Sequence, residues 1–181
     1  MDYSLLPKIE AVPEAASMIE TFRAIGYNLE TAVADILDNS ITAGAKNIYI
    51  ERIWDGGKTI ITIKDDGLGM NSEDIVEAMR PGAQNPLDSR GINDLGRFGL
   101  GMKTASFSQC RKLTVISKKA GYHSAYWTWD LDYVAVTHKW ELIRWAPDKF
   151  ITALDEQASG TLIIWTDLDR VIPPSTSADD I

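Results

Sequence analysis

The sequence predicts an α+β domain, with one mixed, mostly antiparallel sheet carrying helices on one face. Three observations lead there. Two amphipathic helical segments open the chain, and short β-branched and aromatic runs joined by turn signals follow. The two kinds of element do not alternate as regular β-α-β units. The 181 residues match the length of one domain. A chain of this size buries roughly 70% of its unfolded surface, so it can fold without disulfides or a structural metal.

The elements can be justified in order. Residues 1–13 read as an arm broken by Pro7 and Pro13, and residues 14–170 as the domain itself. Glu14 to Ile25 has the apolar spacing of a helix that ends near Gly26. Asn28 is placed to cap a second helix. In it Leu29, Ala32, Val33, Ile36, Leu37 and Ile41 form one buried face, and Gly44 is the stop. Asn47–Trp54 and Lys58–Lys64 read as strands, with Asp55-Gly56-Gly57 as the turn between them. Asn71 and Asp74 have capping-box spacing before a short helix, Glu73–Arg80. Pro81 to Gly101 is a long stretch rich in Gly, Pro, Asn and Asp, which points to a functional or disordered loop. Met102–Gln109 reads as a helix. Lys112–Ser117, Ser124–Trp129, His138–Trp145 and Thr161–Thr166 read as strands. Residues 171–181 read as a linker toward a further region, polar and Pro/Ser-rich from Pro173.

Charge narrows the partners. Eighteen Lys and Arg against 26 Asp and Glu give a net charge of −8. Such a chain is a poor general binder of polyanions, so direct contact with nucleic acid is not expected. It can still hold a small anion through backbone amides and a metal ion. One cysteine, Cys110, and two histidines, His123 and His138, make neither a disulfide framework nor a zinc site. The lone cysteine and the acidic, non-hydrophobic N-terminus point to the cytoplasm, and no apolar run reaches a membrane span. Trp127, Trp129, Trp140, Trp145 and Trp165 fall in strand-like runs and read as packing residues. Lys118-Lys119 reads as a solvated turn.

Four segments could carry chemistry. In the first, Asp35, Asn39 and Thr42 share one polar stripe of the second helix. A carboxylate and an amide one turn apart can hold a water and a hard cation such as Mg²⁺; a plain solvated face is the other reading. The second, Asp65-Asp66-Gly67-Leu68-Gly69-Met70, follows a strand directly. Its glycines allow close approach of a ligand, and a carboxylate at a strand end can accept from an amino group; an ordinary Asp-Gly turn is the alternative. The third, Gly96-Arg97-Phe98-Gly99-Leu100-Gly101-Met102-Lys103-Thr104, is a G-x-x-G-x-G run opening a helix. Its amides could cradle phosphates, although it is neither a Walker A loop nor a dinucleotide fingerprint. The fourth, Ser159-Gly160-Thr161-Leu162-Ile163-Ile164-Trp165, is a strand with a hydroxyl at its mouth.

In this order and spacing, the four resemble the N-box, D-x-G-x-G box, G-x-x-G-x-G box and G-T box of the GHKL superfamily. Its members include DNA gyrase B subunits, ninety-kilodalton heat-shock chaperones, sensor histidine kinases and MutL. The resemblance spans roughly residues 28–168, and the wording of the boxes is closest to MORC-type and chaperone-type members. It implies the Bergerat fold, a two-layer α/β sandwich that binds ATP beneath a mobile lid. Carried over by motif position, Asp65 would bond the adenine amino group, with Thr161 and a water beside it. Gly67, Gly69 and Met70 would line the pocket. Thr42 and Ala43 would lie near the nucleotide, and Asn39 would ligate Mg²⁺. Gly96, Arg97, Phe98, Gly99, Leu100 and Gly101 would wrap the phosphates, with Met102 and Lys103 at the helix start. Pro81–Leu95 would form the lid.

One position departs from the pattern. Hydrolysing members carry Glu four residues before the Asn, and here that residue is Asp35, shorter by one methylene or roughly 1.5 Å. Asp35 is the expected general base; Asp38 is adjacent to Asn39, about 100° from it around the helix, and ranks lower. The resemblance therefore implies a Mg²⁺-dependent ATP-binding and ATP-hydrolysing domain. It would be slow in isolation and act as a nucleotide-gated switch toward a downstream domain or a second copy. An ATP-binding module without effective turnover is the alternative. A histidine kinase catalytic domain fits less well, because the Asp35/Asn39 pair is complete and no phospho-acceptor helix precedes the domain.

Overall fold

The computed structural model describes residues 3–82, 101–173 and 175–179. Helix α1 (Ala15–Arg23) starts at Glu14, whose carboxylate accepts from the amides of Ala16 and Ser17. Helix α2 (Leu29–Thr42) starts at Asn28, whose side chain accepts from Thr31 N. Then come β1 (Ile48–Ile53), β2 (Ile60–Asp65), α3 (Ser72–Met79), α4 (Gly101–Phe107), β3 (Lys112–Lys118), β4 (Ala125–Asp130), α5 (Leu131–Thr137) and β5 (Gly160–Thr166). Both halves of the expected Asn71/Asp74 capping box are formed at α3. Most boundaries fall within two residues of their expected places.

The strands form one five-stranded sheet in the order β1-β2-β5-β3-β4. All four ladders are antiparallel, so the sheet is more uniform than the mixed one expected. Strand β5 explains the difference. It lies between β2 and β3 and opposes both, so β2 and β3 run in the same direction without being hydrogen-bonded to each other.

The helices cover one face. Ile19 of α1, Ile36 of α2, Ile75 and Met79 of α3 and Phe107 of α4 pack there with Ile63, Leu113, Val115 and Trp165 of the sheet. The opposite face is covered by chain without long helices: Ala146 and Leu154 close over Ile116, Leu162 and Ile164. Of the tryptophans, Trp129 and Trp165 are buried, Trp127 and Trp140 pack at the edge of the core, and Trp145 is exposed.

Two expectations are corrected. His138–Trp145 is not a strand, because it meets the sheet at a single bridge, Thr128 to Ile143. Its Trp140 ring instead packs edge-on against Trp129, with centroids 6.1 Å apart. Before it lies α5, which sequence reading missed. Asp130 caps that helix through the amides of Asp132 and Tyr133, Leu131 and Val134 are buried, and His138 ends it with φ 56°. The second correction concerns α2. Its buried face runs Ala32, Ile36, Ser40, whereas Ile41 is exposed.

Residues 175–179 are described as a chain segment resting on the β1–β2 connection. Gly57 N donates to Thr176 O at 2.8 Å, and Trp54 Nε1 donates to Ala178 O at 2.9 Å.

Candidate functional site

The site is built from the last residue of β2 outward. Asp65 is buried and already accepts three hydrogen bonds. Ser40 Oγ donates to Oδ2 at 2.9 Å, and Oδ1 takes Gly67 N at 2.9 Å and Thr161 N at 3.2 Å. Two ionised carboxylate oxygens offer about four lone-pair positions, so one remains. The neighbouring Asp66 is engaged elsewhere: it accepts from the amides of Lys46 and Asn47 and from the Asn47 side chain. The Asn47 amide, with these other donors, holds the Asp66 carboxyl down at about 2.

The turn after Asp65 is packed against two strand ends. Gly69 has φ +64°, and a Cβ there would come within 1.9 Å of Lys118 O. Gly160 passes so near that a Cβ would stand 2.3 Å from Asp65 O. Only glycine fits either place. Met70 N donates to Ser117 Oγ at 2.8 Å, Ser117 Oγ donates to Gly160 O at 2.9 Å, and Thr161 Oγ1 lies 2.8 Å from the same serine. Ser117 thus joins the ends of β3 and β5 to the turn. A cleft of about 260 Å³ opens beside it, lined by Thr42, Ala43, Gly44 and Gly67 with Asp66, Leu68 and Ser159. It therefore shares Thr42, Ala43 and Gly67 with the expected site.

Helix α2 supplies the polar stripe. Asn39 Nδ2 donates to Asp35 O at 2.9 Å, so the amide oxygen is the atom offered to solvent. Asp35 faces the first residue of α4: its Oδ2 lies 3.5 Å from where a Cβ on Gly101 would stand. Asp38 and Thr42 are exposed. The expected stripe therefore exists, and it borders α4.

Helix α4 brings the end of the glycine-rich run. Gly101, Met102 and Lys103 lie at its start, with Met102 packed against the core. The side chain of Lys103 is turned into the fold. It is buried and its Nζ donates to Ala78 O, near the end of α3, at 2.7 Å. Burial pushes the ammonium down to about 8, with Glu77 opposing. Gly96, Arg97, Phe98, Gly99, Leu100 and the whole expected lid except Pro81 and Gly82 lie outside the described residues.

Sequence reading missed Ser40, Ser117 and Tyr27. Ser40 had a signal, since a hydroxyl one turn after buried Ile36 needs a partner. Ser117 had none, because its partners Met70, Gly160 and Thr161 are distant in the chain. The Tyr27 hydroxyl is raised by burial and by its hydrogen bond to Asp35.

Residues 27–161 match the family model described as "Histidine kinase-, DNA gyrase B-, and HSP90-like ATPase". That is 135 of the 181 residues. The chain belongs to this family. ATP binding is thereby suggested. Among curated relatives, the chain is 30% identical over 95 residues to ATPase morc-1 of Caenorhabditis elegans, covering 52% of this chain and 11% of that protein. It is 42% identical over 73 residues to the DNA mismatch repair protein MutL of Clostridium acetobutylicum, covering 38% and 12%. It is 38% identical over 105 residues to the chaperone protein HtpG of Rickettsia canadensis, covering 52% and 16%. The chain thus spans less than a fifth of these relatives. Among the described residues no helix is long and apolar enough to cross a membrane.

Proposed function

We propose that this domain binds ATP with Mg²⁺ between α2, the turn after β2 and the start of α4, and hydrolyses it slowly. The observation that carries the reading is the convergence of Asp65, Asn39 and Asp35 on one region bordered by α4. Asp65 has one acceptor position left, which suits the adenine amino group. Thr161 and a water complete the base contact, and Gly67, Gly69 and Met70 line it. Thr42 and Ala43 border the nucleotide. Gly96 to Gly101 and Met102 meet the phosphates, and Lys103 takes part through its backbone, since its ammonium already has a partner.

The Asn39 amide oxygen fits a hard cation that prefers oxygen ligands. Mg²⁺, when bound, would neutralise phosphate charge there. Asp35 is the general base. Its carboxylate takes a proton from water as the water oxygen bonds to the γ-phosphorus and ADP leaves. The shorter arm of Asp favours slow turnover, since a misplacement of about 1 Å can cost about 10²-fold. We further propose that nucleotide changes contacts with a downstream domain or a second copy, and that the protein is cytoplasmic, in keeping with its single buried free cysteine.

Calorimetric titration with ATP, with and without Mg²⁺, together with phosphate release, tests the reading. Mg²⁺-strengthened binding with slow release that Asp35→Ala abolishes is expected. Absence of ATP binding would overturn the proposal, and binding without release would leave a module that uses nucleotide without turnover.

A further inference from the structure

We propose that Ser117 is a positioning residue that fixes the direction of the Thr161 hydroxyl, so that the base site offers acceptors only. The inference rests on the reading of Asp65 as the contact for an amino group. The ladders place the three residues in one row. Asp65 of β2 pairs with Thr161 of β5, and Thr161 pairs with Ser117 of β3. Directly opposed residues share a face of the sheet. Here it is the face under α2, because Ser40 of that helix donates to Asp65. Ile48 and Ala125, both packed with the main core, stand at the two ends of the row.

The direction follows from counting protons. A serine hydroxyl has one proton and two lone pairs. Ser117 is buried, and its Oγ has three partners. Met70 N donates to it at 2.8 Å, which fills one lone pair. Gly160 O, 2.9 Å away, is a carbonyl and can only accept, so it takes the serine proton. One lone pair is left for Thr161 Oγ1 at 2.8 Å, and Thr161 must therefore be the donor. The reverse assignment would oppose two oxygens across 2.9 Å with no proton between them, in a place closed to water.

Thr161 is half-buried, and Ser117 is the partner of its hydroxyl among the described residues. With its proton committed to Ser117, its oxygen shows the site lone pairs alone. Asp65, one strand away, also has only an acceptor position left. Two acceptors side by side suit a base edge that carries N–H donors. An edge that carries only a ring-nitrogen lone pair meets them without a proton to share. Ser117 thus shapes base choice without touching the base.

The test compares ATP with purine riboside triphosphate, which is ATP without its amino group, in calorimetric titrations of the full chain. The wild type should prefer ATP by about tenfold or more. Ser117→Ala lets the Thr161 proton turn toward the base, and the preference should shrink severalfold. Thr161→Val removes the acceptor and should lower affinity for ATP more than for the analogue. Adding Ser117→Ala to Thr161→Val should change the preference no further. A parallel loss of both affinities in Ser117→Ala would make Ser117 a brace alone and overturn the inference. Equal losses in Thr161→Val would make Thr161 a donor and overturn it too, and this variant decides alone if Ser117→Ala does not fold. A wild type that binds both nucleotides equally, or binds no ATP, would instead remove the base contact of Asp65, and the inference would fall with it.

Discussion

Asp65 is held so firmly that its replacement tests two things at once. In Asp65→Asn, one oxygen becomes a donor and faces a group that already donates. A buried site then contains opposed donors, at about 1–3 kcal/mol for the unmet group. Stability should drop by that amount, and ATP affinity should fall at least tenfold in protein that circular dichroism shows to be folded. GTP, with a carbonyl in place of the amino group, should bind poorly to the wild type. Unchanged ATP affinity in Asp65→Asn would make the residue a brace for the strand ends alone. Asn39 allows a separate test. Its amide nitrogen is tied to Asp35 O, so Asn39→Ala removes mainly the exposed oxygen. Affinity for Mg-ATP should fall more than affinity for metal-free ADP; equal losses in paired titrations would refute a metal role.

At the scale of elements, α4 is held from both sides. Near its start, Lys103 reaches Ala78 O on α3. At and beyond its end, the buried Arg23 guanidinium donates to Phe107 O and Cys110 O, each at 2.8 Å, and to Asp169 at 2.7 Å. The Lys103 ammonium titrates near 8 in the fold against about 10.4 in an unfolded chain. Between those values the unfolded state binds more protons, so stability from this group rises with pH across that window and is flat below it. Relative to Lys103→Met, the wild type should gain up to about 3 kcal/mol between pH 8 and 10.4 in denaturant titrations. A constant difference would mean that the ammonium is better solvated than its burial suggests. What could be read from sequence follows the same scale. The Asn71/Asp74 box and the Asn28 cap were legible because their partners lie three residues away. Ser117 was not, since it joins Met70, 47 residues earlier, and Thr161, 44 residues later. Segment 138–145 looked like a strand by composition, but Trp140 packs into the core edge and only Ile143 meets the sheet. Asp35, Asn39 and Asp65 were legible through a family pattern; their mutual approach came only with the fold.

At the scale of the whole molecule, nucleotide that binds only the folded state should raise its stability. At a concentration 100 times Kd the gain is about 2.7 kcal/mol. For a domain of this length that corresponds to roughly 5–10 °C in Tm. Thermal scans with Mg-ATP should show the shift, and Asp65→Asn should lose it. Equal shifts in the two proteins would place the nucleotide somewhere other than Asp65.

The central place of β5 also sets a timetable. Asp65 receives Thr161 N across a separation of 96 residues, and β5 supplies the shared partner of β2 and β3. While the ribosome has delivered only the first four strands, the native ladders available are two separate pairs, β1–β2 and β3–β4, without the strand that joins them. Closing such distant contacts is the slow part of building a sheet. The nascent chain should therefore be unable to take up nucleotide until β5 has left the exit tunnel. Chains ended at residue 158 should melt without cooperativity and retain no ATP on a filter. Retention by such a shortened chain would mean that the pocket forms before its sheet is closed.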